Sequence, residues 1–272
     1  MSESRPIDRP LGAFFLIVFA WTWSIAGLMI VAPAWVDRTI GPITPGNPLF
    51  FIGVYGPSIT AILVTGFTSG AAGVRTLLGK LVRWRFNPVY YLAVLVGVPL
   101  LATIAGHLGE WLLGVPSAPH IAAIPGWIKV LPIALILDPG PLGEELGWRG
   151  FALPRMVKRW GAPAASILLG LIWGVWHYPA FKIPGMPQGA FNFPLFVAGA
   201  MVLTVIVAWL VLRTGGSVLI AVLFHLAVNT SLGAFQPPFS MFVLILAIVA
   251  AAILLFDRGF RTSEIPDEQP TR

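Results

Sequence analysis

Apolar residues fall along this chain in long unbroken runs, separated by short polar segments rich in arginine, glycine and proline. About 20 apolar residues cross a bilayer as a helix. Five runs reach or approach that length without a charge, at 11–31, 49–68, 89–106, 193–212 and 239–256. Two more, 164–180 and 218–235, are equally apolar but each carries a histidine. An eighth begins near Trp127, meets Asp138-Pro139-Gly140-Pro141, and continues to Met156. The pattern predicts an all-α membrane protein of eight transmembrane helices, the fourth broken or bent. It forms a single domain over 1–261, with its polar motifs in 126–235. The segment 262–272 is polar and reads as a disordered tail.

Composition agrees. Of the 272 residues, 57% are hydrophobic and 10% charged, against about 25% charged in a soluble domain. So few charges cannot cover a water-facing surface, which excludes a soluble enzyme, a disordered chain and a coiled coil. The net charge of +6 does not point to nucleic acid, because the basic residues lie between apolar runs rather than on one face. They fix orientation instead. With both termini in the cytoplasm, all of the 17 lysines and arginines except Arg38, Lys129 and Lys182 fall on the cytoplasmic side, as the positive-inside rule requires. Trp35, Trp111 and Trp127 then lie near the outer interface and Trp84 and Trp160 near the inner one. The first run lacks a small-residue cleavage site and reads as a retained span. Cysteine is absent, which removes thiolate chemistry and Cys-ligated metals. The expected location is a cell membrane, a bacterial plasma membrane fitting the short loops best.

An ionisable group within a span is expensive and marks a candidate functional site. His107, Glu110, Asp138, Glu144, Glu145, Arg149, His177 and His225 qualify. In Gly143-Glu144-Glu145-Leu146-Gly147-Trp148-Arg149, adjacent carboxylates point about 100° apart on a helix. Glu145 and Arg149, spaced i, i+4, can pair. Glu144 is left to face a neighbouring helix, either as part of a salt-bridged helix end or as a base. His177 ends Trp173-Gly174-Val175-Trp176-His177 and reads as an interfacial hydrogen-bonding residue or a partner of that base. His225 and Asn229, also i, i+4, share one helical face. They either glue helices together or aim two donors at a developing oxyanion. Glu144, His177 and His225 could alternatively hold zinc with one open position. Neither H-E-x-x-H nor G-x-S-x-G occurs.

These three segments in order, E-E-x-x-x-R, an aromatic residue ahead of a histidine, and H-x-x-x-N, resemble the CAAX-protease and bacteriocin-processing family of intramembrane proteases, which includes the type II prenyl-protein endopeptidases. The resemblance covers residues 142–229. It implies peptide-bond hydrolysis within the membrane, with Glu144 and His177 activating water and His225 and Asn229 forming an oxyanion hole. Glu145 and Arg149 would form a structural ion pair. The implied substrates are membrane-associated or prenylated peptides, and a bacteriocin precursor is another. The family usually carries phenylalanine where this chain has Trp173, a swap expected to alter packing more than chemistry. Zinc is not required by the residues: Glu145 is expected to be occupied by Arg149, leaving few carboxylates to orient histidine ligands. Two other readings stay open. One is a non-catalytic relative, such as a self-immunity or scaffold protein. The other is a small transporter built on the broken fourth helix, although the Gly56-Pro57 interruption in the second span matches that helix poorly.

Overall fold

The computed structural model describes residues 9–116 and 124–262; Arg5, Arg272 and the polar tail after Thr262 lie outside the described residues. Among the described residues the chain is helical with no strand. Among these residues six segments are long and apolar enough to cross a membrane: Arg9–Val31, Gly56–Val82, Val89–Leu113, Phe193–Arg213, Val218–Phe235 and Phe239–Phe256. Each overlaps one of the predicted spans. Their outward faces carry bare apolar side chains, with Leu16 73%, Phe67 90% and Phe256 80% exposed. Such a surface suits lipid, not water. This is a multi-pass membrane protein.

Proline and glycine set the interruptions. The second predicted span divides at its Gly56-Pro57 interruption into α3 (Pro48–Val54) and α4 (Gly56–Gly79). Pro57 has no N–H to give to the carbonyl of Gly53, four residues back. That carbonyl instead accepts from Thr22 Oγ1 at 2.8 Å, and the carbonyl of Ile52 accepts from Trp21 Nε1 at 2.9 Å. Both donors come from α1 (Arg9–Val31), which the short α2 (Pro33–Thr39) follows. A backbone break away from water persists only when its freed carbonyls find such partners.

The fourth span is broken, as its prolines predict. α7 (Ile124–Leu137) stops at Asp138, whose backbone is extended. Asp138 then caps α8 (Pro139–Glu145) by accepting from Gly140 N at 3.0 Å, with Pro139 at the first helical position, where its missing N–H leaves nothing unpaired. The helix continues as a π-helical stretch, Leu146–Ala152, into α9 (Leu153–Trp176). α9 itself turns at Gly161, whose φ of 74° favours glycine. Beyond that turn, 162–176 rises only about 22 Å at 1.5 Å per residue, short of a ~30 Å hydrocarbon core. Neither the fourth predicted span, broken at Asp138, nor the fifth, shortened by this turn, is among the six long apolar segments.

The short α5 (Val89–Leu92) leads through a π-helical stretch into α6 (Val98–Leu113). α10 (Phe193–Arg213) lies against α9, and α11 (Val218–Phe235) is packed among α6, α7, α8 and α10. α12 (Phe239–Phe256) covers the outside of α6 and α10. Ser217 fixes the start of α11: its hydroxyl accepts from Ile220 N and donates to the carbonyl of Arg83 at 2.7 Å. Two close approaches need glycine. A Cβ at Gly170 would stand 2.5 Å from Met201 Cα, and one at Gly147 would stand 2.5 Å from the Pro57 carbonyl. The first lets α9 and α10 touch backbone to backbone, and the second seats the π-helical stretch on α4. Small residues commonly mediate such contacts between membrane helices.

Candidate active site

Glu144 and Glu145 end α8, so their side chains leave the helix in different directions, and both are buried at 3% and 1% exposure. Glu145 Oε1 accepts from Arg149 Nη1 at 2.9 Å and from His225 Nδ1 at 2.8 Å. The expected i, i+4 pair is present. Arg149 does not occupy Glu145 alone, however: the same oxygen also orients His225 on α11. Arg149 also donates to Thr204 Oγ1 of α10 at 3.1 Å, and its guanidinium lies 4.4 Å from the Trp173 ring centroid. Thr204, fully buried, has no signal in the sequence beyond a polar side chain in an apolar run.

Glu144 goes elsewhere, to Trp173. The indole Nε1 donates to Glu144 Oε2 at 2.5 Å. The Trp-for-Phe departure therefore changes chemistry as well as packing, since a phenyl ring has nothing to donate. Trp173 also links the two histidines. Its ring is edge-on to His177 at 5.3 Å and to His225 at 5.7 Å, and its carbonyl lies 2.8 Å from His177 Nδ1. A carbonyl only accepts, so Nδ1 carries the proton and Nε2 of a neutral His177 is left as the basic nitrogen. No hydrogen bond joins His177 to Glu144 among the described residues; Trp173 connects them.

The same logic applies to His225. With Nδ1–H given to a carboxylate, Nε2 accepts while the ring is neutral and donates only as imidazolium. Nε2 faces the first turn of α8, 3.1 Å from where a Cβ at Gly140 would stand. One turn further along α11, Asn229 Nδ2 donates to Asp138 Oδ2 at 2.8 Å. Asp138 thus does two things: one oxygen caps α8 and the other orients Asn229. Asp138 stands out in the sequence as an intramembrane acid and Asn229 as a motif residue, but their pairing does not. The break at Asp138–Pro139 brings the two together.

Glu145, Arg149, Trp173, His225 and Asn229 line a cavity of about 30 Å³, closed by Leu203 and Phe224. That is room for one or two waters at roughly 15 Å³ each. A larger groove, about 480 Å³, lies among Trp209, Ile253 and Asp257 and holds none of the motif residues. The zinc alternative requires Glu144, His177 and His225 to converge. Among the described residues no group of three His, Asp or Glu side chains is placed to hold a metal ion.

The fold and site define a helical, multi-pass membrane protein that holds two glutamates, an arginine and a histidine buried beside a part-buried histidine and asparagine. Residues 124–231 match the model of the family described as type II CAAX prenyl endopeptidase Rce1-like. The recognition read from the three motifs is borne out, and all six motif residues fall inside the matched segment. A CAAX prenyl protease 2 from Methanococcus maripaludis is 31% identical over 137 residues, which is 47% of this chain and 51% of that protein. The chain spans about half the length of this curated relative. Neither comparison carries a metalloprotease or bacteriocin-immunity label.

Proposed function

We propose that the protein is an intramembrane endopeptidase that hydrolyses peptide bonds in membrane-associated substrates, C-terminally prenylated peptides included. The observation that carries this reading is Trp173, which joins Glu144, His177 and His225 in a site otherwise walled by apolar helices. The prenylated substrate class comes from the name of the Methanococcus relative. In orientation, the positive-inside pattern supports eight crossings with both termini in the cytoplasm, and with the short loops it fits a bacterial plasma membrane.

In the reaction, water donates a hydrogen bond to His177 Nε2 and gives its proton to Glu144. The resulting hydroxide attacks the carbonyl carbon of the scissile bond. The tetrahedral oxyanion accepts hydrogen bonds from His225 Nε2–H and from the Asn229 amide proton that Asp138 does not use. This requires His225 as imidazolium, and Glu145 supplies the opposing charge. Glu144 then passes its proton to the leaving nitrogen as the C–N bond breaks. Preorganised donors of this kind are worth about 10²–10³-fold in rate each. Glu145 and Arg149 take no part in proton transfer; they hold α8, α10 and α11 in register around His225.

The test is hydrolysis of a fluorogenic, farnesylated peptide in liposomes carrying the purified protein, compared with Glu144→Gln. The wild type is expected to turn the peptide over and the variant to lose turnover at unchanged folding. Equal rates in the two would overturn the reading.

A further inference from the structure

Trp173 is 6% exposed and contacts every charged or titratable motif residue except Glu145: Glu144 through its N–H, Arg149 through its ring face, and His177 and His225 in T-shaped ring contacts. Its own position is fixed from two sides. Next to it, Gly174 brings α9 so close to α10 that a Cβ there would stand 3.0 Å from Val197 Cα. Above the ring, Arg149 is itself held by Glu145 and Thr204. The indole has no freedom to follow Glu144; Glu144 must follow the indole.

We propose that Trp173 is a positioning residue for hydrolysis: its N–H pins one oxygen of Glu144 and so aims the other at the water held by His177. The inference rests on the protease reading above. A glutamate side chain has several rotatable bonds, and away from bulk water a single strong donor decides which orientation it keeps. Hydrogen bonds to charged groups are the stronger kind in proteins. Misplacement of a reacting group by about 1 Å costs on the order of 10²-fold in rate. Packing around Trp173 can be satisfied by any flat aromatic side chain of its size, whereas this role needs the N–H alone.

The experiment separates the N–H from the ring. 3-Benzothienylalanine, which has sulfur in place of the indole N–H at nearly the same shape, is introduced at position 173 of the full chain. Hydrolysis of the farnesylated peptide in liposomes is measured beside the wild type, Trp173→Phe and Glu144→Gln. The expected result is a fall in kcat of about 10- to 100-fold for the analogue, with KM within about twofold and Tm unchanged. Trp173→Phe is expected to show at least the same loss of kcat. Wild-type kcat in the analogue would overturn the inference while leaving the protease reading intact. So would a loss of rate in both variants that tracks a matching loss of Tm, because packing then explains it. Wild-type protein without Glu144-dependent turnover would overturn both.

Discussion

Replacing Glu145 by alanine removes the one carboxylate oxygen on which Arg149 and His225 both depend. Arg149 is 2% exposed and His225 9%, so neither can turn to water for compensation. Arg149 keeps its hydrogen bond to Thr204, the face of Trp173 and the charge of Glu144, to which it makes no hydrogen bond among the described residues. Removing one partner of a buried ion pair costs about 3–5 kcal/mol, because the remaining charge stays buried and unmatched. The lost bond to His225 adds to this without being fully additive, since both act through the same atom. On this basis Glu145→Ala is expected to lower stability by about 4 kcal/mol. For a chain of this size that is a fall in Tm on the order of 10 °C. Thermal unfolding in detergent micelles, followed by tryptophan fluorescence, reads it directly. The double variant Glu145→Leu/Arg149→Leu decides the cause. If the penalty is the orphaned cation, the double variant recovers much of the loss, since an apolar pair of similar volume often replaces a buried ion pair at little cost. A single variant within about 1 kcal/mol of wild type, set against the range for buried pairs, would refute the argument. A double variant no better than the single would refute it equally.

Asn229→Ala is expected to lower kcat by about 10²–10³-fold with little change in KM, and Asp138→Ala, which frees the amide without removing it, to lower it less. Both are read in the liposome assay, and a loss confined to KM would move Asn229 from chemistry to helix packing. Gly170→Ala places a methyl 2.5 Å from Met201 Cα. It is expected to cost about 1–3 kcal/mol as overpacking, seen as a lower Tm. Outside the spans, hydrogen bonds from Arg213 hold the Asp257 carboxyl well below the usual carboxylate range, with Trp209 Nε1 adding to the effect. A depressed folded-state value means stability that is present above the unfolded pKa of about 3.9 and lost only as pH falls through the folded one. The Tm difference between wild type and Asp257→Asn should therefore stay constant from pH 8 to about 5 and close only in strong acid. It should also shrink with salt, because the pair is partly exposed and screened.

The apolar runs made most of the helices legible, because a bilayer asks only for length and apolarity, and both are written in the sequence. Interruptions were legible where two signals coincide. Asp138 before three residues of Pro-Gly-Pro reads as a cap and a stop together, and α7 ends there. Gly56-Pro57 is a single signal within an apolar run, and its break depends on Trp21 and Thr22 of a different helix accepting the role of hydrogen-bond partners. The candidate residues were legible as charges in the wrong medium. What the sequence does not carry is how they share partners. Glu145 pairs with Arg149 by spacing, but its bond to His225 spans 80 positions. The bond from Asn229 to Asp138 spans 91. Trp173 was hidden by its type: tryptophan in an apolar run reads as packing until the helix turns its N–H toward a buried acid.

The central claim is that Glu144 activates water to split a peptide bond inside the membrane. It is tested most directly by cleaving a farnesylated peptide in liposomes prepared in oxygen-18 water and weighing both products by mass spectrometry. The expected result is one heavy oxygen, in the new carboxyl terminus, formed by the wild type and not by Glu144→Gln. Intact peptide with the wild type, or the same labelled product from Glu144→Gln at the same rate, would contradict it.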